Sequence, residues 1–185
     1  DDKADRRYRT AKAQQEQYDD LLFPFPEDED ADETDEDTAS WSQAFWREST
    51  LTSLLEMLLG FEINKDDWRT LLTGAKARLP EIIARREAFL QAYQGKSHEY
   101  DNLLTYFLYR HFMKALGDDA VQDKVQLALV STAVIQLLDV YEWLAKGEVT
   151  HWAQICICKA YSREIEYNED NTEQLAAFSV LDEME

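Results

Sequence analysis

Glycine, proline and cysteine are scarce in this 185-residue sequence, with 5, 3 and 2 copies respectively. A fold built from many short strands needs frequent turns, which draw on glycine and proline, so an all-β architecture is disfavoured. Two cysteines are too few for a disulfide scaffold, and they supply too few thiolates for a self-contained iron–sulfur or structural zinc site. The sequence also lacks a glycine-rich phosphate loop, a G-x-S-x-G elbow and an H-E-x-x-H helix, and no strand precedes a glycine turn as a Rossmann methyltransferase site requires.

Basic residues are half as numerous as acidic ones: 19 Lys and Arg stand against 38 Asp and Glu, for a formal net charge of -19. Nucleic acids and anionic membranes bind clustered Lys and Arg, so neither is an expected partner. The N-terminus has no apolar signal-peptide core, and the most apolar stretch, residues 125–138, is shorter than a membrane span. The composition therefore predicts a soluble, cytoplasmic protein. Because the sequence does not begin with Met, we expect it to be a fragment of a longer one.

The acidic residues are concentrated in two places. Nine of the eleven residues in 27–37 are acidic and none is basic, and residues 97–185 carry sixteen acids against six bases. The first run predicts an acidic flexible loop over residues 27–39, between a polar N-terminal helix (1–26) and a helical bundle domain (40–185). A docking segment for a basic partner is the alternative interpretation of this loop.

Apolar residues recur at helical spacing along the chain, which predicts an all-α fold, an irregular bundle of about six or seven helices. The helix over about 119–146 is apolar nearly all round, so we expect it to be central and buried.

Start and end signals place the other helices. A capping box at Ser40-x-x-Gln43 opens a helix that ends at Gly60, a short helix follows over 64–73, and Pro80 opens a helix that ends before Gly95. A helix over 97–116 is ended by Gly117, and the central helix is capped by Asp118 or Asp119 and ended by Gly147. Thr150 caps a helix that runs to about 167, and Thr172 starts a short last helix.

Cys156 and Cys158 are the first candidates for metal chemistry. Residues two apart on a helix point about 200° away from each other, so the pair is interpreted as two small buried hydrophobes. His111 lies on the apolar stripe of its helix, and no local spacing supplies it with a partner ligand. A hydrogen-bonded core histidine is therefore the preferred interpretation.

Two segments, residues 102–112 and 161–166, combine aromatic and charged side chains. Arg163 precedes Glu166 by three residues, a spacing that predicts a helical ion pair. Tyr161 and Ser162 are placed to face either the core or a groove, so hydrogen bonding between helices and binding of a partner are both open. The candidate substrate-binding residues are Tyr106, Tyr109, Arg110, Tyr161, Ser162, Arg163 and Glu166.

The same segments carry a resemblance to a known family. Over about residues 51–178, the stretches LLEMLLGFEINKDDWRTLL, NLLTYFLYRHFMKAL, KVQLALVSTAVI and YSREIEYNEDN resemble the C-terminal region of the flagellin lysine-N-methylases. The resemblance implies methylation of lysine side chains on flagellin with S-adenosylmethionine as methyl donor. It also implies that the chemistry lies in an N-terminal cysteine-rich region associated with an iron–sulfur cluster.

That cysteine-rich region is absent from this sequence, so no catalytic residue is assigned and no cofactor is expected in this chain. The resemblance then implies a helical domain that binds substrate or supports the active site, with flagellin and the missing N-terminal region as partners. The alternative is a stand-alone acidic helical interaction module without enzymatic activity.

Overall fold

The computed structural model describes residues 41–115, 121–178 and 180, and within these ranges the chain is helical nearly throughout with no strand, as predicted. A helical turn over residues 41–45 leads into α1 (Glu48–Gly60), α2 (Asp66–Ala77), α3 (Leu79–Tyr93), α4 (His98–Ala115), α5 (Val121–Lys146), α6 (His151–Tyr161) and α7 (Glu169–Ala176). A 3-10 turn (Gln94–Lys96) follows α3, and a π-helical turn (Ser162–Glu166) follows α6. The predictions for residues 1–26, 27–39, Ser40 and 117–119 fall outside the described residues.

The predicted central helix is α5. It packs against α2, α3, α4, α6 and α7, and most of its residues between Val130 and Val140 are buried, including the polar Ser131 and Asp139. By length and composition α5 is also the one described helix that could cross a bilayer, yet 56% of its most apolar 18-residue window is buried inside the bundle. Burial by the other helices accounts for this apolarity, because a helix that is hydrophobic on every side needs neighbours all round.

Three of the predicted helix boundaries are confirmed by the cap geometry. Pro80 lies in the first turn of α3, where its missing N–H costs no hydrogen bond. Thr150 caps α6 by accepting a hydrogen bond from the Ala153 N–H. Gly147 follows the last residue of α5 with φ +81°, a left-handed conformation that suits glycine.

The helix predicted to run up to Gly60 does end at that residue, but the prediction is wrong in the interior of the helix. It is interrupted at Trp46 and Arg47, and this break allows the consecutive side chains of Phe45 and Trp46 both to be buried. A glycine at the end of a helix is usually left-handed, but Gly60 is the last helical residue of α1 and has no positive φ, and Phe61 continues the chain in an extended conformation.

Two further helix limits are corrected by side-chain packing and capping. The short helix predicted over 64–73 is α2, which continues through Gly74 to Ala77. The last helix begins at Glu169 rather than at Thr172, because the Asn168 side chain caps it by accepting from the Asn171 N–H.

Candidate functional site

Three of the predicted site residues come together where α4 meets the π-helical turn. Arg110 Nε lies 2.7 Å from Glu166 Oε1, and the Tyr106 hydroxyl donates to the same oxygen at 3.0 Å. The Glu166 side chain is only 4% exposed, whereas that of Arg110 is 36% exposed, so the carboxylate lies beneath its two partners. Hydrogen bonds to a sheltered charge are stronger than those between neutral groups, and this pair therefore fixes both side chains.

Two exposed tyrosines extend this cluster to the solvent. The guanidinium carbon of Arg110 lies 5.6 Å from the ring centroid of Tyr167, within the range of a cation–π contact. Tyr167 and Tyr109 are 77% and 76% exposed. Aromatic rings and arginine at an open surface are typical of protein interfaces. We call Tyr106, Arg110, Glu166 and Tyr167 the Glu166 cluster.

Tyr106 acts as a hydrogen-bond donor in this arrangement. Partial burial and the neighbouring Glu166 carboxylate raise the pKa of the Tyr106 phenol, because ionisation would place a second negative charge beside the first. The phenol therefore keeps its proton at neutral pH and holds the Glu166 carboxylate.

A cavity of about 600 Å³ adjoins the Glu166 cluster, between α4, α5 and α7. Its lining contains more carboxylates than cations, with Asp123, Glu166, Glu169 and Glu173 against Arg110 and Lys124. A concave surface lined mainly by one sign of charge concentrates its field, so this cavity favours a cationic ligand.

The π-helical turn holds Glu166 in place through its buried neighbour Glu164. The Glu164 carboxylate accepts a hydrogen bond from the backbone N–H of Asn64 at 2.6 Å and another from Arg163 Nε at 2.5 Å. The Asn171 side chain donates to the carbonyls of Glu62 and Glu164, at 3.0 and 2.7 Å. These bonds tie the turn to the α1–α2 loop and to α7, and π-helical turns of this kind are frequent at functional sites.

The predicted ion pair between Arg163 and Glu166 is wrong. Arg163 Nη2 lies 2.8 Å from Asp67 on α2, and its Nε bonds to Glu164, while Glu166 pairs with Arg110. The three-residue spacing assumed α-helical winding. The wider π-helical winding rotates Glu166 away from Arg163, so each charge finds a partner on another element.

Tyr161 lies inside the bundle, and Ser162 lies at the start of the π-helical turn. Tyr161 is buried, and its hydroxyl donates to Ser131 Oγ on α5 at 2.6 Å, so hydrogen bonding between helices is the interpretation that applies to it. Its ring makes edge contacts with Trp68 and Phe107. Ser162 begins the π-helical turn and accepts from the Tyr167 N–H through its carbonyl.

The cysteines do not form a metal site within the described part of the chain. Cys158 is partly buried, and burial raises the pKa of its thiol to about 12, which disfavours a thiolate ligand. Cys156 is exposed, so the prediction that it is buried is wrong; α6 buries the intervening Ile157 instead. Residues 41–115, 121–178 and 180 also contain no group of three or more metal-ligating side chains, so they do not fit the iron–sulfur cluster implied for the family.

His111 is a buried residue, as predicted, with its ring stacked on Phe107 at 6.4 Å between centroids. The residue that sequence reasoning missed is Tyr167. A lone aromatic in the polar stretch 166–171 is a signal that could have identified it, because such a ring has no apolar stripe to join.

The family whose model matches this chain is described as the FliB lysine N-methylase C-terminal domain, and the match covers residues 5–183. No curated protein and no solved structure matches the chain.

Proposed function

The chain belongs to the FliB lysine N-methylase C-terminal domain family, and from this premise we propose that it is the non-catalytic, substrate-binding domain of a lysine N-methyltransferase acting on flagellin. The observation that carries the proposal is the Glu166 cluster with its acidic cavity. A protein substrate for lysine methylation presents ammonium groups, and this surface offers carboxylates beside exposed aromatic rings.

In this proposal the carboxylates attract the substrate, and the aromatic rings make the contacts with it once it has arrived. Glu169 and Glu173 are exposed at the cavity and attract a cationic partner from a distance. Tyr109 and Tyr167 supply rigid contact area at low entropic cost. Arg110 is neutralised by Glu166, so it positions Tyr167 without strongly repelling the substrate.

The methyl-transfer chemistry belongs, in this proposal, to the N-terminal cysteine-rich region of the family. That region would supply the iron–sulfur cluster and the S-adenosylmethionine site. The described residues offer neither a strand with a glycine turn nor a set of cysteine ligands. The chain alone should therefore transfer no methyl groups from S-adenosylmethionine to flagellin, and transfer above background would contradict the proposal.

Titration of the full chain with flagellin at low salt tests substrate binding. The double variant Glu169→Gln/Glu173→Gln removes two charges from the cavity and should weaken binding by roughly tenfold, about 1.4 kcal/mol. The matched control is Glu48→Gln/Glu87→Gln, which removes two exposed charges that do not line the cavity and should change affinity by less than about twofold.

If both double variants weaken flagellin binding equally, the loss of affinity comes from the change in net charge, and a binding site at the cavity is contradicted. Equal affinity for an unrelated cationic protein would favour the stand-alone interaction module over a methylase domain.

A further inference from the structure

A second cavity of about 500 Å³ lies between α2, the C-terminal end of α5 and α6. None of its lining residues belongs to the Glu166 cluster or to the cavity beside it. The inner wall is apolar and is formed by Leu71 on α2 with Ile157 and Ala160 on α6. A methylene chain is the kind of group that such a wall accommodates without losing hydrogen bonds.

Trp152 stands at this cavity with 69% of its surface exposed. It is the second residue of α6, two residues after the Thr150 cap, so the helix fixes its backbone while its indole ring is exposed to solvent. Among aromatic side chains, an indole ring attracts an ammonium group most strongly.

The rim of the cavity carries carboxylates from three elements: Asp67 on α2, Glu142 on α5, and Glu148 in the loop before α6. One of these carboxylates already has an ammonium partner within the chain. Lys146 Nζ lies 2.5 Å from Glu142 Oε1, and both residues line the cavity. Asp67 is paired with Arg163, and Glu148 is exposed in the short loop between α5 and α6, two residues after Lys146.

We propose that this cavity, which we call the Trp152 groove, binds a lysine side chain of the protein substrate. The methylene stem packs on Leu71 and Ile157, and the ammonium lies against the Trp152 ring with Glu148 as its counter-charge. The inference deepens the proposed function, since it rests on that function for the identity of the substrate protein. The binding of a lysine side chain, by contrast, is argued only from the residues that line the groove.

The probe is the pentapeptide acetyl-Gly-Gly-Lys-Gly-Gly-amide, compared with the same peptide carrying norleucine, which keeps the stem and lacks the charge. The chain has five Trp, and the Trp152 indole N–H signal in a heteronuclear NMR spectrum is assigned by its disappearance in Trp152→Phe. The lysine peptide should shift this signal in a saturable way with a Kd on the order of 1 mM at low salt, and the norleucine peptide should not.

The matched variants separate local recognition from net charge. Glu148→Gln should weaken binding of the lysine peptide about three- to tenfold, whereas Glu87→Gln, an equal charge change on α3 outside both cavities, should weaken it less than about twofold. Equal effects of the two variants, or equal shifts by the two peptides, would overturn the proposal.

The peptide experiment and the flagellin titration can contradict their two proposals separately. If flagellin binds and the peptide leaves the Trp152 signal unmoved, the groove is wrong and the substrate-binding role stands. If the peptide shifts Trp152 and flagellin does not bind, the groove holds a lysine side chain and the proposed substrate is wrong.

Discussion

Asp139 is a buried carboxylate in the middle of the most apolar helix. Tyr100 and Gln154 both donate to its Oδ2, at 2.8 and 3.0 Å, while Oδ1 has no hydrogen-bond partner among the described residues. Burial raises the pKa of Asp139 to about 6 and outweighs the two hydrogen bonds, which act in the opposite direction. The folded protein therefore holds this carboxyl in its neutral form more readily than the unfolded chain does.

This raised pKa predicts a stability cost that grows with pH. An unfolded Asp titrates near 3.8 and the folded one near 6, so the favourable contribution is present below pH 4 and is lost as pH rises through 6. The full difference is on the order of 3 kcal/mol, of which about 1 kcal/mol falls between pH 5 and 7. Asp139→Asn carries no charge, so its stability relative to the natural chain should rise by that amount over this interval, measured by urea unfolding.

The control for this prediction is Asp101→Asn, an exposed carboxylate in the first turn of α4. It removes the same charge at the surface, so the pH profile of Asp139→Asn is compared with the profile of this variant. A flat pH profile for Asp139→Asn would contradict the raised pKa, because it would show that the carboxyl is already ionised at pH 5 in the folded protein.

The pair of Arg110 and Glu166 is more sheltered than an ordinary surface pair. A double-mutant cycle with Arg110→Gln and Glu166→Gln should give a coupling free energy of about 0.5–1.5 kcal/mol, reduced from a buried value because the Arg110 side chain is 36% exposed. The matched cycle is Lys76→Gln with Glu56→Gln, an exposed pair at 2.8 Å, which should give about 0.5 kcal/mol or less. A smaller coupling for Arg110 and Glu166 than for this pair would contradict the sheltered geometry.

At the scale of elements, Gly74 on α2 faces Tyr141 on α5. A Cβ atom placed on Gly74 would collide with the hydroxyl and ring of Tyr141 on α5. The helix predicted over 64–73 continues through Gly74 to Ala77, and the contact with Tyr141 explains why glycine occupies this helical position, since a larger residue would overlap the tyrosine ring.

Gly74 and Gly60 form a matched pair for testing that contact. Gly74→Ala should lower the free energy of unfolding by about 1–3 kcal/mol despite the better helix propensity of alanine, since it overpacks the contact with Tyr141. Gly60→Ala, at the end of α1 with nothing within 4 Å of the new Cβ, should be neutral or stabilising by up to about 1 kcal/mol. Chemical denaturation measures both, and stabilisation by Gly74→Ala would mean that the Tyr141 ring moves aside freely.

At the scale of the whole molecule, the net charge of -19 governs how a cationic partner arrives. If flagellin is the partner, as we propose, its association rate constant should fall about tenfold or more between 50 and 500 mM salt, while the dissociation rate constant changes less, because screening acts mainly on long-range attraction. Stopped-flow or surface-based kinetics measure the two constants separately. A salt-independent association rate would indicate that the acidic surface takes no part in binding.

The sequence by itself determined the fold class, the family and the places where several helices begin and end. Helical periodicity, Pro80, Thr150 and Gly147 act within one turn of the backbone, so their effects are readable without knowledge of distant residues. The apolar composition of α5 required neighbours on all sides, which made its central position predictable.

The tertiary structure alone decided the pairing of charges and the burial of polar groups. Arg110 and Glu166 meet because a π-helical turn changes the winding that the three-residue spacing assumed. Asp139, which bounds the apolar stretch 125–138 in the sequence, is buried because Tyr100 and Gln154 arrive from other helices. Hydrogen bonds between distant residues depend on packing distances of a few tenths of an ångström, and no local sequence pattern contains those distances.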